Sequence, residues 1–148
     1  MDVLEHLIEE HRKAEQMLQQ LAQSQPGPGR DRVLAELGDA LALHMEVEER
    51  EVYPLVEEFL GQAKASEAEN EHNKARDDLA RAVDAVATGD FQQAIETLTA
   101  DISHHVQEEE GDIFPQLRQK AARDVEALGD PEDAEAEVKD EMVAEENA

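Results

Sequence analysis

The chain has 148 residues with no cysteine, no tryptophan and only four other aromatic residues, while Ala, Leu and Glu are abundant, a balance that favours helix over sheet within one domain. Its formal charge of -25 argues against nucleic acid, whose phosphates need Lys and Arg, and against attraction to anionic lipid. Without thiolates any transition metal must be held by nitrogen and oxygen, and an acidic start with no apolar run near ~18 residues points to a cytoplasmic protein with neither signal peptide nor membrane span.

In chain order, Asp2 followed by Glu5 predicts an N-cap, after which Leu4, Leu7, Ile8, His11, Ala14, Leu18 and Leu21 recur at helical spacing. His11 therefore lies on the buried stripe of helix one. Pro26, Gly27, Pro28 and Gly29 break the helix, and the loop is expected to end at an Asp31 cap. Helix two follows, with a core stripe of Leu34, Leu37, Leu41, His44, Glu48, Val52, Leu55 and Phe59 and with Gly61 closing it. Ser66 and Glu69 read as a capping box, so helix three is expected to start there and carry His72, Arg76, Leu79, Val83 and Val86 inward. After the turn Thr88-Gly89-Asp90, helix four presents Phe91, Ile95, Leu98, Ile102, His105, Glu109 and Ile113. Pro54 and Pro115 each stand ten residues past the helix His and predict a kink just beyond it. From Arg123 the chain holds eleven acids and two bases, which reads as a mobile acidic tail over 123–148, with a short helix as the alternative, behind a domain of 1–122.

Helices one and two recur in helices three and four. His44-Met45-Glu46-Val47-Glu48-Glu49-Arg50-Glu51-Val52-Tyr53-Pro54 returns 61 residues later as His105-Val106-Gln107-Glu108-Glu109-Glu110-Gly111-Asp112-Ile113-Phe114-Pro115, and Glu10-His11-Arg12-Lys13-Ala14 returns as Glu71-His72-Asn73-Lys74-Ala75 at the same offset. One unit is written twice. The fold expected is all-α: an up-down four-helix bundle with an internal two-fold repeat, a scaffold whose interior holds metals on facing helices.

Burying His11, His44, His72, His105, Glu48 and Glu109 without a counter-charge would cost several kcal/mol per carboxylate, and a cation removes that penalty. Each half supplies two imidazoles and one carboxylate, a set that suits non-heme iron with open positions, so two metals are expected with Glu48 and Glu109 bridging them.

The lone His, HxxxE, lone His, HxxxE pattern with a downstream aromatic-Pro in both copies resembles the hemerythrin-like (HHE) domain over roughly residues 2–120. The resemblance implies a four-helix bundle around an oxo- or hydroxo-bridged di-iron centre that binds O2, H2O2 or NO, or that senses iron. Its ligands carried over are His11, His44, Glu48, His72, His105 and Glu109. Two departures stand out. Oxygen carriers of this family have HxxxH on helix three, where this chain has Arg76, and HxxxxD on helix four, where it offers both Glu109 and Glu110; the repeat favours Glu109, with Glu110 the runner-up. Arg76 corresponds to Glu15, and a salt bridge between them is preferred over Glu15 as an added ligand. Tyr53 corresponds to Phe114, which reads as packing, with a hydrogen bond or an electron from Tyr53 as the alternative. Glu49 reads as an acceptor for a ligand imidazole N–H or as solvated, and His6 and His104 read as surface residues.

Four classes compete: a di-iron protein responding to oxygen or peroxide, a catalase-like or ferroxidase-like enzyme, a ferritin-like carboxylate site and a metal-free acidic interaction bundle. The ferritin-like class expects two Glu-x-x-His pairs, and only Glu69 with His72 fits.

Overall fold

The computed structural model describes residues 1–148 and contains helices and turns only. Helix α1 is Val3–Ala22, and the Asp2 carboxylate accepts the Glu5 N–H at its start as expected. The second helical run is continuous through α2 (Pro28–Val47), a π turn π1 (Glu48–Val52) and α3 (Tyr53–Leu60). After Gly61 come α4 (Gln62–Asp84), then α5 (Phe91–Glu108), a second π turn π2 (Glu109–Ile113) and α6 (Phe114–Lys120). The first helix packs on α2 and α5, and α4 packs on α3 and α5, which gives the expected bundle of two related hairpins.

Several boundaries differ from the sequence reading for local reasons. Helix α2 begins at Pro28, not at an Asp31 cap, because a proline in the first turn gives up an N–H that has no acceptor there anyway. Helix α4 starts at once after Gly61, whose φ of +102° turns the chain in a single residue, so the Ser66 box lies inside a helix already under way. The buried positions of α4 are Ala68, His72, Ala75, Asp78 and Ala82, one residue off the expected stripe beyond His72, and Val83 is exposed. The irregularity expected past each HxxxE pair begins at the glutamate itself. Tyr53 N–H donates to the Glu48 carbonyl and Phe114 N–H to that of Glu109, both spanning five residues. Widening each turn makes room for Pro54 and Pro115, whose rings would clash with the carbonyl four residues back in an α turn. It also moves Tyr53 and Val56 into the core in place of Leu55 and Phe59, which are only partly buried.

The acidic segment is docked, not mobile, in this structure. It forms α7 (Ala122–Ala127) and α8 (Pro131–Glu146), and Val125, Ala134 and Val138 join the apolar cluster that contains Val3, Leu4 and Leu7. The stripe Pro131, Ala134, Val138, Met142 is real but narrow, and the carboxylates around it mask it in composition.

The core has two apolar layers. One holds Leu4, Leu7, Val52, Val56, Ile113, Phe114 and Leu117, and the other Leu18, Leu37, Leu41, Phe91, Ile95, Leu98 and Ile102. Between them in sequence on every helix lie the buried polar residues His11, His44, Glu48, His72, His105 and Glu109.

A separate polar contact joins α4 to α5. Asp78, buried in the second hairpin, faces Asp101, and burial followed by this neighbour pushes its carboxyl up to about 6. Asp101 is held low, first by the hydrogen bond from Asp78. A carboxyl that binds its proton more tightly in the folded chain stabilises most fully at low pH, and that stability is lost as pH rises from 3.8 to about 6. Asp78→Asn keeps the hydrogen bond without the charge. It is expected to raise stability at pH 7 by on the order of 1–3 kcal/mol and to leave it unchanged at pH 3.5; thermal melts across that range check this, and a variant melting no higher than wild type at pH 7 refutes it.

Candidate metal centre

Six side chains converge in the middle of the bundle. Glu48 and Glu109 have no exposed surface, and His11, His44, His72 and His105 are each at most 8% exposed. Each imidazole turns Nε2 inward. His44 and His72 place it 3.1 and 2.9 Å from Glu48 Oε1, while His11 and His105 place it 3.2 and 3.3 Å from the two oxygens of Glu109. The six fall into two groups of four able to hold a metal ion: His11 and His44 with both glutamates, and His72 and His105 with the same two glutamates. The two-fold repeat exchanges one group for the other, and both carboxylates belong to both.

The outer nitrogens are held as regularly. His44 Nδ1 donates to Glu10 at 3.0 Å and its repeat partner His105 donates to Glu71 at 2.6 Å; His72 donates to Glu49 and His11 to Glu110, each at 2.7 Å. With Nδ1 carrying the proton, Nε2 presents its lone pair to the centre, the tautomer a metal requires. Glu10 and Glu71 were not read from the sequence as site residues. Their signal was there, since each precedes a lone histidine at the same offset of 61.

These outer carboxylates are themselves anchored. Arg76 donates to Glu49 at 2.6 Å, not to Glu15, and Glu15 stays near the surface against Arg12, so the structure brings neither Glu15 to the centre nor the expected Arg76–Glu15 pair together. Arg12 also pairs with Glu110, which stands outside the His11 ring and leaves the central position to Glu109. His6 meets Glu10 and Glu135, and the exposed His104 meets Glu71 and Glu108.

Tyr53 breaks the symmetry. Its hydroxyl donates to Glu109 Oε2 at 2.8 Å and lies 2.9 and 3.1 Å from Nε2 of His72 and His105, whereas its counterpart Phe114 stacks near His11 with no polar atom to offer.

Burial works against charge on His44 and His105, yet Glu48 and Glu10 push the first up to about 10, and Glu109, Glu48 and Glu71 push the second up to about 12. Burial also disfavours charge on Glu48, and the facing imidazoles, His44 first, still hold it well below the usual carboxylate range. Burial and the two glutamates raise Tyr53 well above the ordinary phenol value. The cluster therefore favours positive charge at its middle. His11 Nε2, Glu48 Oε2 and Glu109 Oε1 are buried there with no hydrogen-bond partner. Two donors bound at right angles to one ion, each at ~2.1 Å, lie about 3 Å apart, which matches the 3.1 Å between Nε2 of His72 and His105. The residues fit a metal.

Beside the imidazoles is a cavity of about 100 Å³ walled by Ala14, Met17, Leu41, Met45, Ile102 and Val106, with Glu10, Lys13 and Glu71 also bordering it. No helix is long and apolar enough to cross a membrane.

No curated protein and no solved structure matches the chain. A protein-family model does, over residues 2–117, which include both copies of the repeat and all six inward-facing side chains. The chain belongs to the hemerythrin HHE cation-binding domain family.

Proposed function

We propose that this protein is a non-heme di-iron protein that binds O2, peroxide or NO and serves the response to oxygen or oxidative stress, or iron sensing. The observation that carries the reading is the sharing of both buried carboxylates by two histidine pairs. His11 and His44 would hold one iron, His72 and His105 the other, and Glu48 and Glu109 would bridge them, leaving exchangeable positions on each. Iron in that setting supplies reversible electron transfer to a small oxygen or nitrogen ligand.

The chain's own residues decide what reaches that ligand and how it is held. Ala14, Met17, Leu41, Met45, Ile102 and Val106 give the cavity an apolar side beside the imidazoles, and its size suits a small uncharged molecule such as a diatomic gas. Arg76 occupies the place of a further histidine and pairs with Glu49, which supports more exchangeable positions than an oxygen carrier has. Tyr53 brings a hydroxyl within 2.9 and 3.1 Å of the inward nitrogens of the second histidine pair. Its hydroxyl can donate a hydrogen bond there or serve as an added oxygen ligand, and Phe114 offers the first pair neither.

The deciding experiment is metal content by mass spectrometry with absorption spectra of protein purified in air, after anaerobic reduction and after re-exposure to O2 or peroxide. Two irons per chain, with near-ultraviolet bands that bleach and return, are expected; no iron, or one zinc, overturns the assignment. The decay of added peroxide separates a binding protein from a catalase-like enzyme. Because six buried polar groups come together favourably only with cations, removing iron should lower the melting temperature, and an unchanged melt on chelation with reduction would favour a metal-free bundle.

Substitutions test the roles. Glu109→Ala should bind at most one iron, while Glu110→Ala should still reach two, with affinity lower by roughly 10–100-fold because only the His11 N–H partner is lost. The reverse ranking would make Glu110 the bridge. Tyr53→Phe should retain two irons with a changed visible spectrum, and an identical spectrum would reduce Tyr53 to packing.

A further inference from the structure

The acidic C-terminal helix has no part in the centre itself, yet its attachments lead there. Helix α8 carries eight carboxylates and a single ammonium, Lys139, in a chain of net charge -25. Only Pro131, Ala134 and Val138 are fully buried along it. Repulsion opposes docking, since Glu51 in π1 is pushed up by burial and then by Glu137 and Glu141 of α8.

Two polar ties hold the helix, and each ends beside an inward-facing residue of the first half. Arg50, two residues after Glu48 in the same π turn, donates to Glu141 at 3.0 Å and to Glu145 at 2.8 and 3.0 Å while Glu46 fixes its Nε. At the other end Glu135 meets His6, His6 lies 3.5 Å from Glu10, and Glu10 holds Nδ1 of His44. The second half has nothing equivalent, because Gly111 and Glu67 stand where the first half has Arg50 and His6.

We infer that α8 is a latch whose docking follows occupancy of the central His/Glu site, an inference that rests on the metal-holding reading above. Cations in the centre offset part of the net negative charge that opposes docking of an acidic helix, hold Glu48 and so the π turn that aims Arg50, and hold His44 and so Glu10. Loss of the cations weakens all three supports at once, which tips the balance of a narrow apolar stripe against carboxylate repulsion. Linkage makes the effect mutual: a docked α8 raises metal affinity. The protein thereby carries a readout of metal occupancy on its own surface.

The test follows amide exchange over 131–146 and trypsin cleavage at Lys139 in full-length protein, iron-loaded and iron-free, with bound iron measured in parallel. Iron-free protein should be cut at Lys139 at least tenfold faster while amides of α5 stay protected. Loaded Arg50→Ala should show the same fast cutting and bind iron at least threefold more weakly, while Lys64→Ala, which breaks the Lys64–Asp112 pair at the second π turn, should change neither. Failure to take up iron would overturn the di-iron reading and the latch together. Iron uptake with unchanged exchange over 131–146 would overturn the latch alone. Should removal of iron unfold the whole bundle, Arg50→Ala decides: wild-type iron affinity with a released α8 refutes the coupling.

Discussion

Two carboxylates with no solvent contact set the terms for this molecule. Removing a carboxylate from water costs several kcal/mol even after the surroundings relax, and Glu48 and Glu109 incur that cost side by side. Four imidazoles face them, four further glutamates orient the imidazoles, and arginines or histidines hold those glutamates in turn. Polar order propagates outward from the pair until it reaches solvent. Apolar layers lie on either side, so the network runs across the bundle rather than along it.

Much of this could be read from the residues alone because duplication turns a weak pattern into a strong one. A single HxxxE pair is uninformative, whereas two at a fixed offset, each preceded by a lone histidine, identify which histidines face inward. The same offset marks Glu10 and Glu71, but an acid beside a histidine in so acidic a chain carries little contrast. Charged partners were harder still. The repeat pairs Arg76 with Glu15, but a repeat relates equivalent positions and not contacting ones, and the partner of Arg76 is Glu49. The π turns are invisible to a stripe counted in threes and fours, which explains why Leu55 and Phe59 were expected where Tyr53 and Val56 lie. The docked tail was hidden by composition, since eight carboxylates outweigh a four-residue apolar stripe.

The two halves keep the inward and orienting residues while diverging around them. Tyr53 faces Phe114 in the repeat, Arg50 faces Gly111, and Met17 and Ala40 beside the cavity correspond to the paired Asp78 and Asp101. Pseudo-symmetry therefore ends at the ring of outer carboxylates. Inside it the halves differ only in Tyr53 against Phe114; outside it one half acquired the contacts of a C-terminal helix and the other a carboxyl pair.

The polar layer also answers a question that apolar cores leave open. Helices lined with Leu, Ile and Val can slide past one another by a turn, about 5.4 Å, and still bury similar surfaces. Here such a slide would carry a glutamate into an apolar layer and bring a leucine or valine against three imidazoles. The central layer thus acts as a register mark that aligns all four helices lengthwise, so the residues that hold the chemistry also select one bundle out of several near-equivalent packings.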